Sequence, residues 1–503
     1  MDSNLVIIGF VIAYMAMCIV VGLWAMRQTK STGDFFVAGR NLGVLITGIA
    51  IFSSIMSGFG FVGGPGLVFR MGLSSFWILI STPIGFCVAF FLVARRLRVI
   101  AEQRDSISLP DVIEARFQSK AVRLHVAVSV LFGVIAYLAV QISAMATVLR
   151  DIWNRLCESQ DWAMTSDSIL LFLLLSSAVL VFYCVTGGII ASVYTDFFQG
   201  IIMVTAAVLI FFAAAHAVDG GFPAMARTLF EDDPESIRPW GTLGMIACLS
   251  WHFLFAFGVV GQPHIVTKMM MTRKVEDARG ALPLTIAGYT LAALLWIGIG
   301  LAMRALVLQD QHDIASFQSS NSTATEFLLT YVSPWLAGIV FAGLFAAIMS
   351  TADGFLNIGS AALVHDLPRC FTDKPIRHEL LWARIGILVL AILAAIFALL
   401  FPSDLLGMLG IFGWGVFASA LAPVVGFGLN WKQASPLAAI LSIWAGILIN
   451  LLDLVNKWYG GSIPYGIAGG TIALLVSSTL FIGVSLFAQP REMPKDIEQA
   501  MEL

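Results

Sequence analysis

Two groups of residues in this chain combine oxygen-bearing side chains with a spacing that can do chemistry. Ser53, Ser54 and Ser57 stand with Ile55 and Met56 just before Gly58 and a further series of glycines, in the middle of an apolar run. Backbone carbonyls at a helix break in lipid must find partners, and a cation can be that partner. Farther along, Ala347, Ser350 and Thr351 share one helical face, and Ser350, Asp353, Asn357 and Ser360 extend it as a polar stripe at intervals of three and four. Hydroxyls in apolar helices often bond back to their own carbonyls, which suffices to explain Ser350 alone. It does not explain Asp353, since a carboxylate at mid-helix costs roughly 2.5–3.5 kcal/mol on insertion scales and usually marks an ion or proton path. The connecting segments contain no P-loop, nucleophile elbow or zinc spacing, so neither an ATP-driven pump nor an enzyme is expected. The six cysteines are scattered, without the spacing of a disulfide framework or a metal site.

The elements that must position these groups are membrane helices. Of 503 residues, 59% are hydrophobic and only 12% charged, and the mean hydropathy is +0.91, so lipid must be the solvent. Spans are expected at about 5–26, 43–69, 72–95, 125–149, 168–187, 191–216, 241–266, 282–308, 326–362, 380–401, 405–431, 435–453 and 466–488. That makes an all-α membrane protein of about thirteen transmembrane helices in one domain, 1–503. With the N-terminus outside, the inside segments hold 21 of the 28 basic residues, Lys268, Arg273, Lys374 and Arg377 among them, which is the asymmetry of the positive-inside rule. A cytoplasmic C-terminal tail, 489–503, follows.

Spans 2 and 7 share a pattern. Phe59-Gly60-Phe61-Val62-Gly63-Gly64-Pro65-Gly66 agrees with Phe257-Gly258-Val259-Val260-Gly261-Gln262-Pro263-His264 at five of eight positions, although the two spans run in opposite directions. Paired Gly/Pro-interrupted helices of this kind point to a transporter built from inverted repeats. The repeats are expected at 43–216 and 241–431, with span 1 and the helices of 435–488 peripheral.

Four stretches carry a family resemblance across almost the whole chain: Gly33-Asp34-Phe35-Phe36-Val37-Ala38-Gly39-Arg40, Tyr194-Thr195-Asp196-Phe197-Phe198-Gln199, Gly261-Gln262-Pro263-His264 and Ala346-Ala347-Ile348-Met349-Ser350-Thr351. The sequence resembles the sodium:solute symporters, a family that includes bacterial proline, pantothenate, sialic acid and galactose symporters. The resemblance implies a LeuT-like 5+5 inverted repeat in a bacterial inner membrane. It implies sodium as the coupling ion, held by backbone oxygens of Ser53, Met56 and Ala347 and by the hydroxyls of Ser350 and Thr351. Asp196 would lie on the sodium route or near a second ion site, against a bland reading as a loop-end carboxylate. A solute pocket would be lined by Ser57, Gly58, Tyr137, Gln141, Phe255, Gln262 and Trp414. Two positions depart from relatives: Ile55 stands where the proline branch has aspartate, and Asp353 and Gly354 stand where sialic acid symporters use two serines for a second sodium. A carboxylate there suits either a second cation or a proton carrier.

The expected function is therefore inward symport of sodium with a small organic solute, a carboxylate or amino-acid-like molecule, by alternating access. Its partners are solute, sodium and the bilayer, and not nucleic acid. One charge crossing about 100 mV gains roughly 2.3 kcal/mol and a tenfold gradient adds about 1.4 kcal/mol, so one sodium can concentrate a neutral solute roughly several hundredfold. Two rivals remain open: proton coupling on the same fold, and a membrane solute sensor. The short tail leaves no room for an output domain, so a sensor would need a separate partner.

Overall fold

The computed structural model describes residues 3–162, 169–312, 322–372, 376–400, 403–488 and 491–503. The expected span edge at 168, Lys374 and the start of the tail at 489 lie outside the described residues. Within them the regular structure is helical, apart from one parallel bridge between Leu42 and Thr272. In lipid a helix satisfies its own backbone groups, which is why uninterrupted apolar runs resolve into helices.

Among the described residues ten helices are long and apolar enough to cross a membrane, or eleven if Met245–Gly261 and Pro263–Met269, bent by 47°, form one crossing. The difference from the expected thirteen has a physical source. The stretches Phe59–Gln103 and Ile169–Ala217 have 45 and 49 residues, roughly 70 Å each at about 1.5 Å per residue, against a hydrocarbon layer of about 30 Å. Each contains a glycine with φ of 56°, Gly72 and Gly188. At Gly188 a Cβ would lie 2.6 Å from the ring of Phe35 and 2.7 Å from its carbonyl, so glycine is what permits the turn.

The expected span 326–362 also needs correction. A short helix, Thr323–Thr330, ends first, and the long helix begins at Pro334 behind an extended Ser333 with ψ of 145°. Proline has no N–H to give and forces its predecessor out of the α region, so it opens a helix rather than lying inside one. From Val340 to Ala361 every residue of Pro334–Ala361 is buried, because Ser3–Gln28, Val44–Ile55, Lys120–Ser159 and Ile169–Ala217 pack around it. Its polar stripe therefore meets protein on all sides. Lipid-facing character lies elsewhere, in exposed side chains such as Ile12, Phe212, Ile392 and Leu452.

At one end of the bundle Arg123 ties three elements together, reaching Asp111 at 2.5 Å, Glu114 at 2.8 Å and Asp366 at 2.8 Å. Burial pushes the Asp111 carboxyl up, but hydrogen bonding and charge from His365 and the charge of Arg123 outweigh it and hold the group at about 2.

Candidate cation and solute site

The helix Val44–Ile55 stops at Met56, whose ψ of 81° leaves the helical region. The chain resumes as a widened helical turn, Phe59–Gly63, and then as Gly64–Met71. The interruption falls inside the serine-rich segment singled out in the sequence. It frees carbonyls that a continuous helix would use. Ser350 Oγ donates to Ser53 O at 2.8 Å, and Thr351 Oγ1 donates to Ser54 O at 2.8 Å. Both hydroxyls also lie close to Ala347 O, at 3.1 and 3.3 Å. Four of the five residues expected to hold a cation thus converge through their oxygens, and Met56 stands at the break itself.

The rest of the stripe diverges. Asp353 accepts from Ser192 Oγ at 2.7 Å on one carboxylate oxygen and from Tyr183 OH at 2.8 Å and Thr195 Oγ1 at 3.4 Å on the other. Asn357 bonds back to Asp353 O, and Ser360 donates to Ala383 O. Asp196 is fully buried within Ile169–Ala217, so it is not a loop-end carboxylate.

Lys268 is the largest correction. The positive-inside count treated it as a loop residue, yet it lies in Pro263–Met269 with 1% exposure. Its Nζ meets Asp196 Oδ2 at 2.5 Å and Ala50 O at 3.2 Å, and it donates to Ser54 Oγ. A lysine two residues past an apolar run normally snorkels to the interface. Here the bend at Gln262 turns the short helix and its lysine inward, and Asp196 compensates the buried charge. Nothing in the local sequence distinguishes the two outcomes. Tyr183 and Ser192, which make the two shorter hydrogen bonds to Asp353, were likewise without a sequence signal, whereas the third donor, Thr195, lies in one of the four family stretches.

The solute residues divide. Ser57, Tyr137, Phe255 and Trp414 line one cavity of about 30 Å³ together with Trp296 and Tyr289, room for about two waters. Tyr137 OH and Ser57 Oγ are 3.1 Å apart, and the Phe255 and Trp414 rings lie 5.0 Å apart. Gly58, Gln141 and Gln262 sit behind this lining. Gln141 Oε1 accepts from Gly58 N at 2.8 Å, and Gln262 Nε2 reaches Gly258 O and Trp414 O at 3.3 Å. Among the described residues, three buried donors in or behind this lining have no hydrogen-bond partner, Gln141 Nε2, Trp296 Nε1 and Trp414 Nε1, and the buried acceptor Gln262 Oε1 has none either. Buried donors of this kind are costly unless something supplies an acceptor. Trp296 was missed because a lone aromatic in an apolar span carries no positional signal.

Comparison with known proteins accords with this geometry. The model of the sodium:solute symporter family matches residues 35–446. The osmoregulated proline transporter OpuE of Bacillus subtilis (strain 168) is 28% identical over 492 residues, covering 94% of each chain. The sodium/proline symporter of Escherichia coli (strain K12) is 29% identical over 481 residues, covering 94% of this chain and 93% of its own. Among solved structures, a substrate-bound, outward-open Na+-coupled sialic acid symporter superposes with a TM-score of 0.80 at 19% identity, covering 97% of this chain and 99% of that one. The shared fold is that of LeuT-like transporters.

Proposed function

The chain belongs to the sodium:solute symporter family, and from that premise we propose that it draws a small organic solute inward by binding sodium at the break after Ile55. The observation that carries this reading is the pair of hydroxyls, Ser350 and Thr351, set on the freed carbonyls of Ser53 and Ser54 at 2.8 Å each. A hydroxyl that donates to a carbonyl can rotate and present its lone pairs, so a sodium entering between them gains oxygen ligands from both helices. Met56 O and Ala347 O complete the set. Asp353, with Asp196 offset by Lys268, leaves a net negative field that favours a cation there.

For the solute, the three partnerless donors around Ser57 and Tyr137 favour a molecule that brings acceptors, and the partnerless Gln262 Oε1 leaves room for one donor, which suits a carboxylate or an amino-acid-like compound. The relatives named for proline belong to this class. Ile55 stands where the proline branch carries aspartate, and the donor set does not single out proline. We also place the N-terminus outside and the C-terminus in the cytoplasm of a bacterial inner membrane. Thirteen crossings follow if Gly72 and Gly188 each divide a long stretch in two and the bent pair crosses once. Spans 2–6 and 7–11 then form the two inverted repeats.

The test is uptake into proteoliposomes, after a thermal-shift screen of amino acids, carboxylates, vitamins and sugars with and without sodium. Uptake should require an inward sodium gradient. Uptake driven equally well by a proton gradient without sodium would replace this reading with proton coupling, and ligand binding without any transport would replace it with a sensor.

A further inference from the structure

The buried lysine adds something that family membership does not supply. We infer that Lys268 is a tethered cation filling the ion position beside Asp196, so that the protein binds a single sodium where an open Asp196 carboxylate would accept a second. This rests on the sodium-coupled reading of the neighbouring site.

The surroundings of the ammonium are those of a bound ion. Its three N–H donors face three oxygens of different kinds, the Asp196 carboxylate at 2.5 Å, the Ala50 carbonyl at 3.2 Å and the Ser54 hydroxyl. Carboxylate, carbonyl and hydroxyl together are the ligand types a hard cation selects. The second carboxylate oxygen, Asp196 Oδ1, is buried and has no hydrogen-bond partner, so coordinating capacity remains on the same group. Ser54 links the lysine to the candidate sodium site, because its hydroxyl donates to Ser350 O at 3.2 Å while its carbonyl accepts from Thr351. The ammonium is therefore one side chain away from the sodium ligands.

Charge counting gives the same result. Asp196, Asp353 and Lys268 carry formal charges of −1, −1 and +1 and are all buried, which leaves one negative charge for one sodium to balance. A second sodium would leave uncompensated positive charge among buried side chains, a strongly unfavourable arrangement. With the lysine shortened, two carboxylates would face two vacant cation positions.

The experiment is equilibrium binding of radioactive sodium to the purified full-length protein, with no solute present. Wild type should bind one sodium per chain. Lys268→Ala should bind two, and the double variant Lys268→Ala with Asp196→Asn should return to one. Two sodium ions in wild type would overturn the inference while leaving sodium coupling intact. A folded Lys268→Ala that still binds one sodium with wild-type affinity would overturn it as well. If Lys268→Ala does not fold, the wild-type count still decides. Wild type that binds no sodium would refute the proposed function itself and this inference with it, an outcome distinct from a count of two.

Discussion

The two helix interruptions are closed by different means. At Met56, with ψ of 81°, the freed carbonyls of Ser53 and Ser54 accept from hydroxyls on another helix. At Gln262, with ψ of 104°, the amide of the same residue reaches back to Gly258 O and across to Trp414 O. Beside it, Gly261 packs against backbone so closely that a Cβ would lie 2.3 Å from Phe417 O and 2.7 Å from Ala422 N. A hydroxyl can exchange donation for acceptance and so release a carbonyl to an ion; an amide nitrogen can only donate. The first break is thus suited to change partners, and the second to hold a fixed bend that aims Lys268 inward. Similar sequence patterns, Phe-Gly-x-Val-Gly-x-Pro in both, lead to different devices because the partners come from elsewhere in the chain.

The largest effect that tests this contrast should come from Gly261→Ala. The obstructing atoms are backbone of the one packed helix Ser403–Ala422 and cannot yield like a side chain, so the cost lies at the upper end of the about 1–3 kcal/mol for overpacking, or beyond it. Purified protein should lose thermal stability sharply or fail to accumulate. Gly58→Ala should fold, since its Cβ would meet side-chain atoms of Gln141, Ala144 and Ile348 at 3.0–3.1 Å. Equal tolerance at both glycines would erase the distinction between a rigid and an adaptable break.

Next in size is the double variant Ser350→Ala with Thr351→Ala. It leaves the carbonyls of the first break without hydroxyl partners and removes two of the proposed sodium ligands. Sodium half-saturation of uptake should rise at least about tenfold, which corresponds to about 1.4 kcal/mol, while the protein stays folded. Gln262→Ala, by contrast, should lower stability by about 1 kcal/mol with little change in sodium dependence. Should Gln262→Ala shift sodium affinity as much as the double variant does, both breaks would be part of the ion site.

Asp353→Asn is expected to have a smaller but diagnostic effect. Both carboxylate oxygens accept from hydroxyls, Tyr183 and Thr195 at one and Ser192 at the other, and an amide can accept at only one of its two positions. The variant should bind sodium several-fold more weakly through loss of charge. A changed dependence on external pH with unaltered sodium affinity would instead identify a proton carrier, and no change in either would leave Asp353 as a packing residue.

How much of this could be read in advance depends on whether the cause was local. The first break was legible because Ser53, Ser54, Ser57 and Gly58 oppose a continuous apolar helix within six residues. The face of Ala347, Ser350 and Thr351 was legible from periodicity. Lys268 was not, since a lysine at the end of an apolar run reads the same whether it turns to water or to Asp196, 72 residues earlier in the chain. Pro334 carried its own warning, but the apolar run continued across it, and hydropathy outweighed the missing N–H. The Asp353 stripe was correct as a face and incomplete as a path, because its partners Tyr183, Ser192 and Thr195 come from a different helix.

The smallest effect should come from Gln141, which stands behind the proposed solute cavity and holds Gly58 at the first break. Its Oε1 accepts from Gly58 N at 2.8 Å, and its Nε2 is buried without a partner. Replacement by Met keeps the length and removes both polar functions. The Gly58 N–H then loses its acceptor at the point where the chain re-enters a helix, and a buried, partnerless donor behind the cavity is removed. A single hydrogen bond is worth about 1 kcal/mol, or roughly fivefold in an equilibrium constant. Gln141→Met should therefore raise the half-saturating concentration of the transported solute by about that factor. Sodium half-saturation should stay unchanged, because Ser350 and Thr351 hold carbonyls on the other side of the break. If sodium dependence shifted as far as solute dependence, the residues after Met56 would belong to the ion site too. The first break would then act as one unit, and its division into an ion side and a solute side would be wrong.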